Sequence, residues 1–174
     1  MLVKTYGAAV QGIHATTITI EVNVSPGIRF MLVGLPDNAI KESHERIISA
    51  LDCCGLKFPH YQVIVNMAPA DIRKEGAAYD LPLAIGIMSA SGEIHSNRLS
   101  EFIIMGELSL DGTLQPIKGA LPIAIKAREE GFKGFILPEE NAREAAVVNN
   151  LDIYGAKNLK QVISWFALFY VGLI

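Results

Sequence analysis

The chain has 174 residues, of which 51% are hydrophobic and 19% charged, and its formal net charge is −3 at pH 7. This length suits one domain, and a compact chain of this size buries about 70% of its unfolded surface without staples. The composition is normal for a soluble α/β domain. The negative charge excludes a surface that binds phosphates as a whole, because such domains carry a clear basic excess.

Targeting and redox signals are weak in this sequence. The N-terminus, "MLVKTYGAAVQG", has no sustained apolar region, so we expect no secretory signal and a cytoplasmic location. No stretch reaches the roughly 18 to 20 apolar residues that a membrane span requires, so we expect no membrane contact. Cys53 and Cys54 are neighbours at an expected helix end, which is typical neither of a disulfide framework nor of a zinc site.

The first part of the chain predicts strands around a helix. "AAVQG", "TTITIEVNV" and "IRFMLVGL" are rich in strand formers, and "SPG" at 25–27 indicates a turn, so we expect an N-terminal meander. In "DNAIKESHERIISAL", isoleucines recur at helical spacing after Asp37, a helix cap, and Gly55 ends the helix. "YQVIVNMAP" at 61–69 predicts the next strand.

The remainder alternates helices and strands. "YDLPLAIGIMSASG" predicts a helix with Asp80 as its cap and Pro82 in its first turn. Asp111-Gly112 indicates a two-residue hairpin turn between segments 105–110 and 113–117. Four further segments follow as helix, strand, helix and strand, with a last helix after them: "ALPIAIKAREEG", "FKGFILP", "EENAREAAVVNN", "LDIYGA" and "NLKQVISWF".

No linker divides these elements, so we expect one continuous α/β domain, and a separate meander is the lesser alternative. The end of the chain, "ALFYVGLI" at 167–174, is uncharged and apolar. It indicates either a last strand or helix extension packed on the body, or an altered or truncated junction to a following module.

Several catalytic motifs are absent from the sequence. There is no G-x-x-x-x-G-K-[ST], the loop whose backbone and lysine hold nucleotide phosphates, and no G-x-S-x-G or H-E-x-x-H. The four histidines are scattered, which does not favour a shared metal site. We therefore expect no ATP hydrolysis by this chain and no cofactor in it.

Three long motifs point to a known family. They are "LVGLPDNAIKESHERI", "VNMAPADIRKEGAAYDLPLAIG" and "IIMGELSLDGTLQPIKGALPIAIKAREEGFKGFILP". Together they resemble the N-terminal domain of the bacterial magnesium-chelatase-like ComM/YifB proteins, over nearly all of residues 1–166. The resemblance implies a ribosomal protein S5 domain 2-like fold, related to the proteolytic domain of Lon and the C-terminal domain of RadA.

The same resemblance bears on the charged turn "RKEGAAYD" at 73–80, which precedes the apolar helix. In Lon the corresponding turn carries a nucleophilic serine, which is activated by a lysine that follows a second segment, the one that begins here at Gly106-Glu107. Here Ala78 stands at the serine position and Leu121, to within one residue, at the lysine position. Covalent catalysis needs a nucleophile and a base, and neither residue supplies one. The resemblance thus implies no catalytic residue in this chain.

The charged turn is therefore interpreted as a retained scaffold, with candidate contacts to DNA or a partner. Arg73 and Lys74 precede a glycine and a helix start, where backbone N–H groups favour anions. Tyr79 and Lys118 complete the candidates. The alternative is a solvated turn whose charges pair locally, with Tyr79 as a packing aromatic.

The resemblance implies an accessory domain before an AAA+ ATPase module. That module would bind ATP and Mg, form a hexamer, and act in DNA branch migration, recombination and natural transformation. Our first hypothesis is a noncatalytic domain that contacts DNA or neighbouring subunits for the motor of the same polypeptide. The second is a Lon-like hydrolase with a rearranged nucleophile at Ser89, Ser91 or Thr113. A self-associating ring module, as in RadA, is compatible with the first.

Overall fold

The first half of the chain builds a four-stranded sheet. In the computed structural model, which describes residues 1–174, its strands are β1 Leu2–Gln11, β2 His14–Ser25, β3 Phe30–Val33 and β4 Gln62–Ala68. They stand in the order β1-β2-β4-β3. Every second residue of β2 from Ile18 to Val24 is buried, which is the period expected of a strand with one face on the core.

The predicted meander is wrong, because β4 lies between β2 and β3. β3 pairs parallel with β4, from Phe30 opposite Val63 to Val33 opposite Asn66, and β4 pairs antiparallel with β2. The chain between β3 and β4 is helical, and parallel neighbours need such a crossover. The helix that the sequence predicted after β3 therefore decides the sheet order, and the turn at 25–27 does not.

Three helices belong to this half. α1 Asn38–Lys41 and α2 Ser43–Cys53 replace the single predicted helix, with a break at Glu42, and α3 Asp80–Ala90 follows β4. The cap at Asp37 is confirmed, since its Oδ1 accepts a hydrogen bond from the Ile40 N–H at 2.9 Å. All eleven residues of α3 are buried against β1 and β2. α3 is thus the central helix of the core.

The second half adds a parallel sheet and a hairpin. Its strands are β5 Phe102–Ile104, β6 Glu107–Leu108, β7 Leu114–Gln115, β8 Gly134–Pro138 and β9 Asp152–Ala156, and its helices are α4 Ala120–Glu129, α5 Ala142–Ala145 and α6 Leu159–Tyr170. β5, β8 and β9 form a sheet in the order β5-β8-β9, with both pairs parallel. The predicted mixed α/β fold is confirmed.

The hairpin exists, but its turn differs from the predicted one. The Gly112 N–H donates to Ser109 O at 2.9 Å, which centres the turn on Leu110 and Asp111. Gly112 follows with φ +87°, the left-handed conformation that glycine adopts without strain. The loop thus has three residues and not two. Met105 does not belong to the hairpin, as the predicted segment 105–110 implied, because it continues β5 and its N–H donates to Ile136 O.

The last helix packs through aromatic side chains. The rings of Phe102, Phe166 and Phe169 contact one another, and the Arg98 guanidinium lies 4.6 Å from the centre of the Phe169 ring. α6 continues through Tyr170, so half of the apolar segment 167–174 is a helix extension, and Phe169 is buried. A junction to a following module stays a prediction.

The helices of this fold are short. None combines the length and the apolar character that a membrane crossing requires.

The fold makes a sharp prediction at Gly34, which follows β3. Its φ is +100°, and a Cβ there would lie 2.1 Å from the Met67 carbonyl oxygen. We expect Gly34→Ala to lower the free energy of unfolding by about 3 kcal/mol or more, because backbone must move in addition to the conformational strain. Urea unfolding of the purified chain measures this change.

Gly55→Ala is the matched control. Gly55 also has a positive φ of +77°, but its Cβ would meet nothing within 4 Å. Only the strain remains, which costs about 1 kcal/mol. Equal losses for the two substitutions would contradict the proposed clash with the Met67 backbone.

Candidate functional site

A cleft of about 610 Å³ opens between the end of β1, the turn before α3 and the segment after β7. Its walls come from residues that are far apart in sequence, and they mix apolar, backbone and charged groups. They are Ala8, Ala9, Val10, Gln11, Arg73, Glu75, Gly76, Ala77, Ala78, Tyr79, Met105, Glu107, Pro116, Ile117, Lys118 and Ile123. None of these is Ser, Thr, Cys, His or Asp, and the charged groups in the walls belong to Arg73, Glu75, Glu107 and Lys118.

The turn in this cleft is held from outside by Asp37. Its Oδ2 accepts a hydrogen bond from the Gly76 N–H at 2.9 Å, while its Oδ1 caps α1. The backbones of the two segments also bond, from the Asp37 N–H to Lys74 O and from the Lys74 N–H to Leu35 O, both at 3.1 Å. Asp37 thus fixes the turn to the segment that follows β3.

Lys74 is a buried anchor of the same turn and not an available cation. Its side chain has no exposed surface, and its Nζ donates to the carbonyl oxygens of Gly34, at 2.7 Å, and Pro69. Burial lowers the pKa of Lys74, and nearby Asp71 opposes this shift. The prediction that Lys74 contacts DNA or a partner is therefore wrong, because both the charge and the donors point into the protein.

Tyr79 is also buried. Its hydroxyl donates to Ala8 O at 3.1 Å, and burial raises its pKa far above the ordinary value. Its prediction as a contact residue is wrong for the same reason as that of Lys74. The packing alternative is correct, and the ring forms part of the cleft floor.

The other two candidates line the cleft and are accessible. Arg73 is paired locally, with Nε 3.0 Å from Glu75 Oε1, and both side chains are exposed. Lys118 is exposed, and no carboxylate lies within 4.0 Å of its Nζ. Their contact with DNA or a partner stays a prediction.

The sequence analysis predicted the wrong role for Asp80, which it took as the cap of α3. It is completely buried and does not cap α3. Its carboxylate accepts two hydrogen bonds from Arg46, at 2.7 Å from Nε and 2.9 Å from Nη2, and one from the Leu108 N–H at 3.0 Å. The Arg46 Nη2 also donates to Ala39 O. This ion pair joins α1, α2, α3 and the hairpin directly behind the turn.

The two residues of the pair stabilise each other's charge. Burial raises the pKa of Asp80 above its ordinary value, although the hydrogen bonds from Arg46 and Leu108 oppose this rise. The hydrogen bond to Asp80 in turn raises the pKa of Arg46. No pattern in a single sequence signals a pair of residues 34 positions apart.

The two positions related to the Lon dyad lie differently. Ala78 lines the cleft, whereas Leu121 does not and packs partly against the core. The Leu121 N–H donates to Glu144 Oε1 at 3.0 Å. Neither side chain can transfer a proton or attack a substrate.

Side chains that could bind a metal ion are not clustered in this structure. No group of three or more His, Cys, Asp or Glu side chains lies close enough to hold a metal ion.

Comparison with known proteins gives a consistent result. Residues 20–141 match the family model described as subunit ChlI of Mg-chelatase. Competence protein ComM of Haemophilus influenzae is 40% identical over 161 residues, which is 92% of this chain and 31% of that protein. YifB of Escherichia coli is 37% identical over 158 residues, 90% of this chain and 31% of that protein.

A more distant relative supports the predicted Lon-like fold. Lon protease 2 of Bacillus subtilis is 30% identical over 125 residues, 71% of this chain and 22% of that protein. The chain spans about a third of the length of ComM and YifB and corresponds to their N-terminal part.

The geometry of the ion pair predicts strong coupling between Arg46 and Asp80. Arg46→Met leaves a buried carboxylate without its partner, so we expect the free energy of unfolding to fall by about 3–5 kcal/mol. The double variant Arg46→Met, Asp80→Asn removes both charges. We expect its loss to be at least about 1 kcal/mol smaller than the sum of the single losses in urea unfolding.

The exposed pair Arg73–Glu75 provides the control for this cycle. Arg73→Met should change the free energy of unfolding by less than about 0.5 kcal/mol, because solvent screens that pair. Additive losses at positions 46 and 80 would contradict the coupling.

Lys74 predicts a pH dependence of stability. Because burial lowers its pKa in the folded state, the unfolded chain binds the proton more tightly. The free energy of unfolding therefore rises with pH between that lowered pKa and the ordinary value of 10.5. We expect this rise to be missing in Lys74→Met, in urea unfolding followed from about pH 8 to about pH 10.

The difference in the free energy of unfolding between the unchanged chain and Lys74→Met reports on Lys74 alone. The raised pKa of Tyr79 lowers stability only above its ordinary value of 10.0, and it does so in both proteins. A constant difference in stability across this range would show that the lysine titrates alike in the folded and unfolded states.

Proposed function

Because this chain belongs to the family of the ChlI subunit of Mg-chelatase, and to its ComM/YifB-like members, we propose that it is a noncatalytic accessory domain of an AAA+ ATPase. In this proposal the ATPase module of the same polypeptide binds ATP and Mg and assembles as a hexamer. This domain supplies contacts to subunits or DNA. The name of the competence protein ComM motivates a role in DNA recombination and natural transformation, in the cytoplasm.

One observation carries the noncatalytic part of the proposal. The cleft that Ala78 lines contains no serine, threonine or cysteine that could act as the nucleophile of a Lon-like hydrolase. Ala78 replaces the serine, and the only hydroxyl in the wall, that of Tyr79, is buried and bonded to Ala8 O. Lys118 therefore has no hydroxyl beside it to activate.

The alternative hydrolase finds no support at its three candidate nucleophiles. Ser89 is buried, the Ser91 hydroxyl donates to Met88 O, and Thr113 directly follows the hairpin loop, where its carbonyl oxygen accepts from the Ser109 N–H. None of them lines the cleft.

The proposal predicts that the purified chain neither hydrolyses ATP nor cleaves fluorescent casein, and that fluorophosphonate probes do not label it. The physical reason is the absence of both a phosphate-binding loop and a nucleophile with its base. The readouts are phosphate release, casein fluorescence and gel labelling, with a Lon protease as the positive control. Casein cleavage that Ser91→Ala or Thr113→Ala abolishes would establish the hydrolase instead.

A further inference from the structure

The outer edge of β1 runs along one wall of the cleft. Met1 and Val24 exchange both backbone hydrogen bonds, from the Val24 N–H to Met1 O and from the Met1 amino group to Val24 O. In an antiparallel pair such residues alternate with residues whose backbone groups point away from the partner strand. The odd-numbered residues of β1 therefore bond to β2, and the even-numbered ones direct their N–H and C=O to the outer edge.

The protein satisfies this edge at Ala8 but not at Val10. The Ala8 N–H donates to Met105 Sδ at 3.4 Å, and Ala8 O accepts from the Tyr79 hydroxyl. Two residues further on, the register leaves the N–H and C=O of Val10 facing the cleft, and no group of the protein bonds to either. The cleft thus begins where Met105 ceases to cover the strand.

The walls around this edge suit a neutral, extended chain. Ala77 and Ala78 form one side, with space above their short side chains, and Ile117 and Ile123 contribute apolar surface on the other. The charges balance, because Arg73 is paired with Glu75, and Glu107 offsets Lys118. A site for a polyanion carries a clear basic excess, so this balance disfavours nucleic acid.

We propose that the cleft binds an extended polypeptide segment, which adds to the sheet as a strand on β1 and pairs with the N–H and C=O of Val10. Backbone hydrogen bonds supply affinity, and alternate side chains of the segment lie between the alanine and isoleucine walls. This inference rests only on the noncatalytic part of the proposed function. It does not depend on a role in DNA processing.

Val10→Pro tests the pairing directly. Proline removes the N–H that faces the cleft, and edge strands tolerate it there because the bonds to β2 are untouched. Leu2→Pro removes an N–H from the same edge outside the cleft and is the matched control. The probe is fluorescein-labelled, reduced and carboxymethylated lactalbumin, a permanently unfolded polypeptide, and binding to the 174-residue chain is followed by fluorescence anisotropy.

We expect Val10→Pro to weaken binding by about tenfold, the loss of one hydrogen bond, and Leu2→Pro to leave it unchanged. Circular dichroism and urea unfolding verify that both variants fold. A second pair guards against misfolding: Ala78→Leu fills the cleft and should weaken binding, whereas Ala70→Leu, on an exposed loop, should not. Equal effects of the two proline variants, or of the two leucine variants, would overturn the proposal.

The nucleic-acid alternative is tested with a labelled 30-nucleotide single strand. If the chain binds this strand but not the polypeptide, and Arg73→Ala and Lys118→Ala weaken that binding, the cleft is a nucleic-acid site and the proposal is wrong. Binding of neither probe also overturns it. A gel of the polypeptide after incubation tests the noncatalytic proposal by itself: cleavage products would contradict that proposal, whereas an intact polypeptide that does not bind would overturn only the present inference.

Discussion

The buried carboxylate of Asp80 accepts hydrogen bonds from Arg46 on α2 and from the backbone of Leu108 on β6. A carboxylate without exposed surface is costly unless a cation and further donors compensate it, so these partners cannot separate independently. Asp80 begins α3, the helix that the sheet and the hairpin enclose. The ion pair therefore fixes the start of the central helix, and with it the turn that forms one wall of the cleft.

The cleft wall is a backbone structure stabilised from behind. Gly76 is held by the carboxylate of Asp37, and the ammonium group of Lys74 binds the carbonyl groups of Gly34 and Pro69. Asp37, Lys74, Gly34 and Pro69 do not line the cleft, although Gly76 does. The shape of the turn thus does not depend on the side chain at Ala78. A turn that is held in this way keeps its shape without a catalytic side chain, which agrees with the proposed noncatalytic function.

The outer edge of β1 supplies the backbone groups to which we propose that a polypeptide binds. Met105 and Tyr79 bond to the outward-facing backbone groups of Ala8, whereas no group of the protein bonds to those of Val10, which lines the cleft. Unpaired groups on an exposed edge are a template for another strand. The balanced charges of the walls distinguish this surface from a phosphate-binding one. A contact to polypeptide is consistent with a domain that serves neighbouring subunits.

The sequence by itself determined most elements, because helix caps, glycine stops and side-chain periods are local. The cap at Asp37, the helix stop at Gly55 and the alternating strand β2 all follow from neighbouring residues. The family and the absence of a nucleophile at Ala78 could also be predicted, since long motifs carry them. Only the tertiary structure decided that β4 separates β2 from β3, that Lys74 and Tyr79 are buried, and that Asp80 pairs with Arg46. These features depend on contacts between residues distant in sequence, where burial and partner geometry, and not residue type, set whether a charge faces solvent or the core.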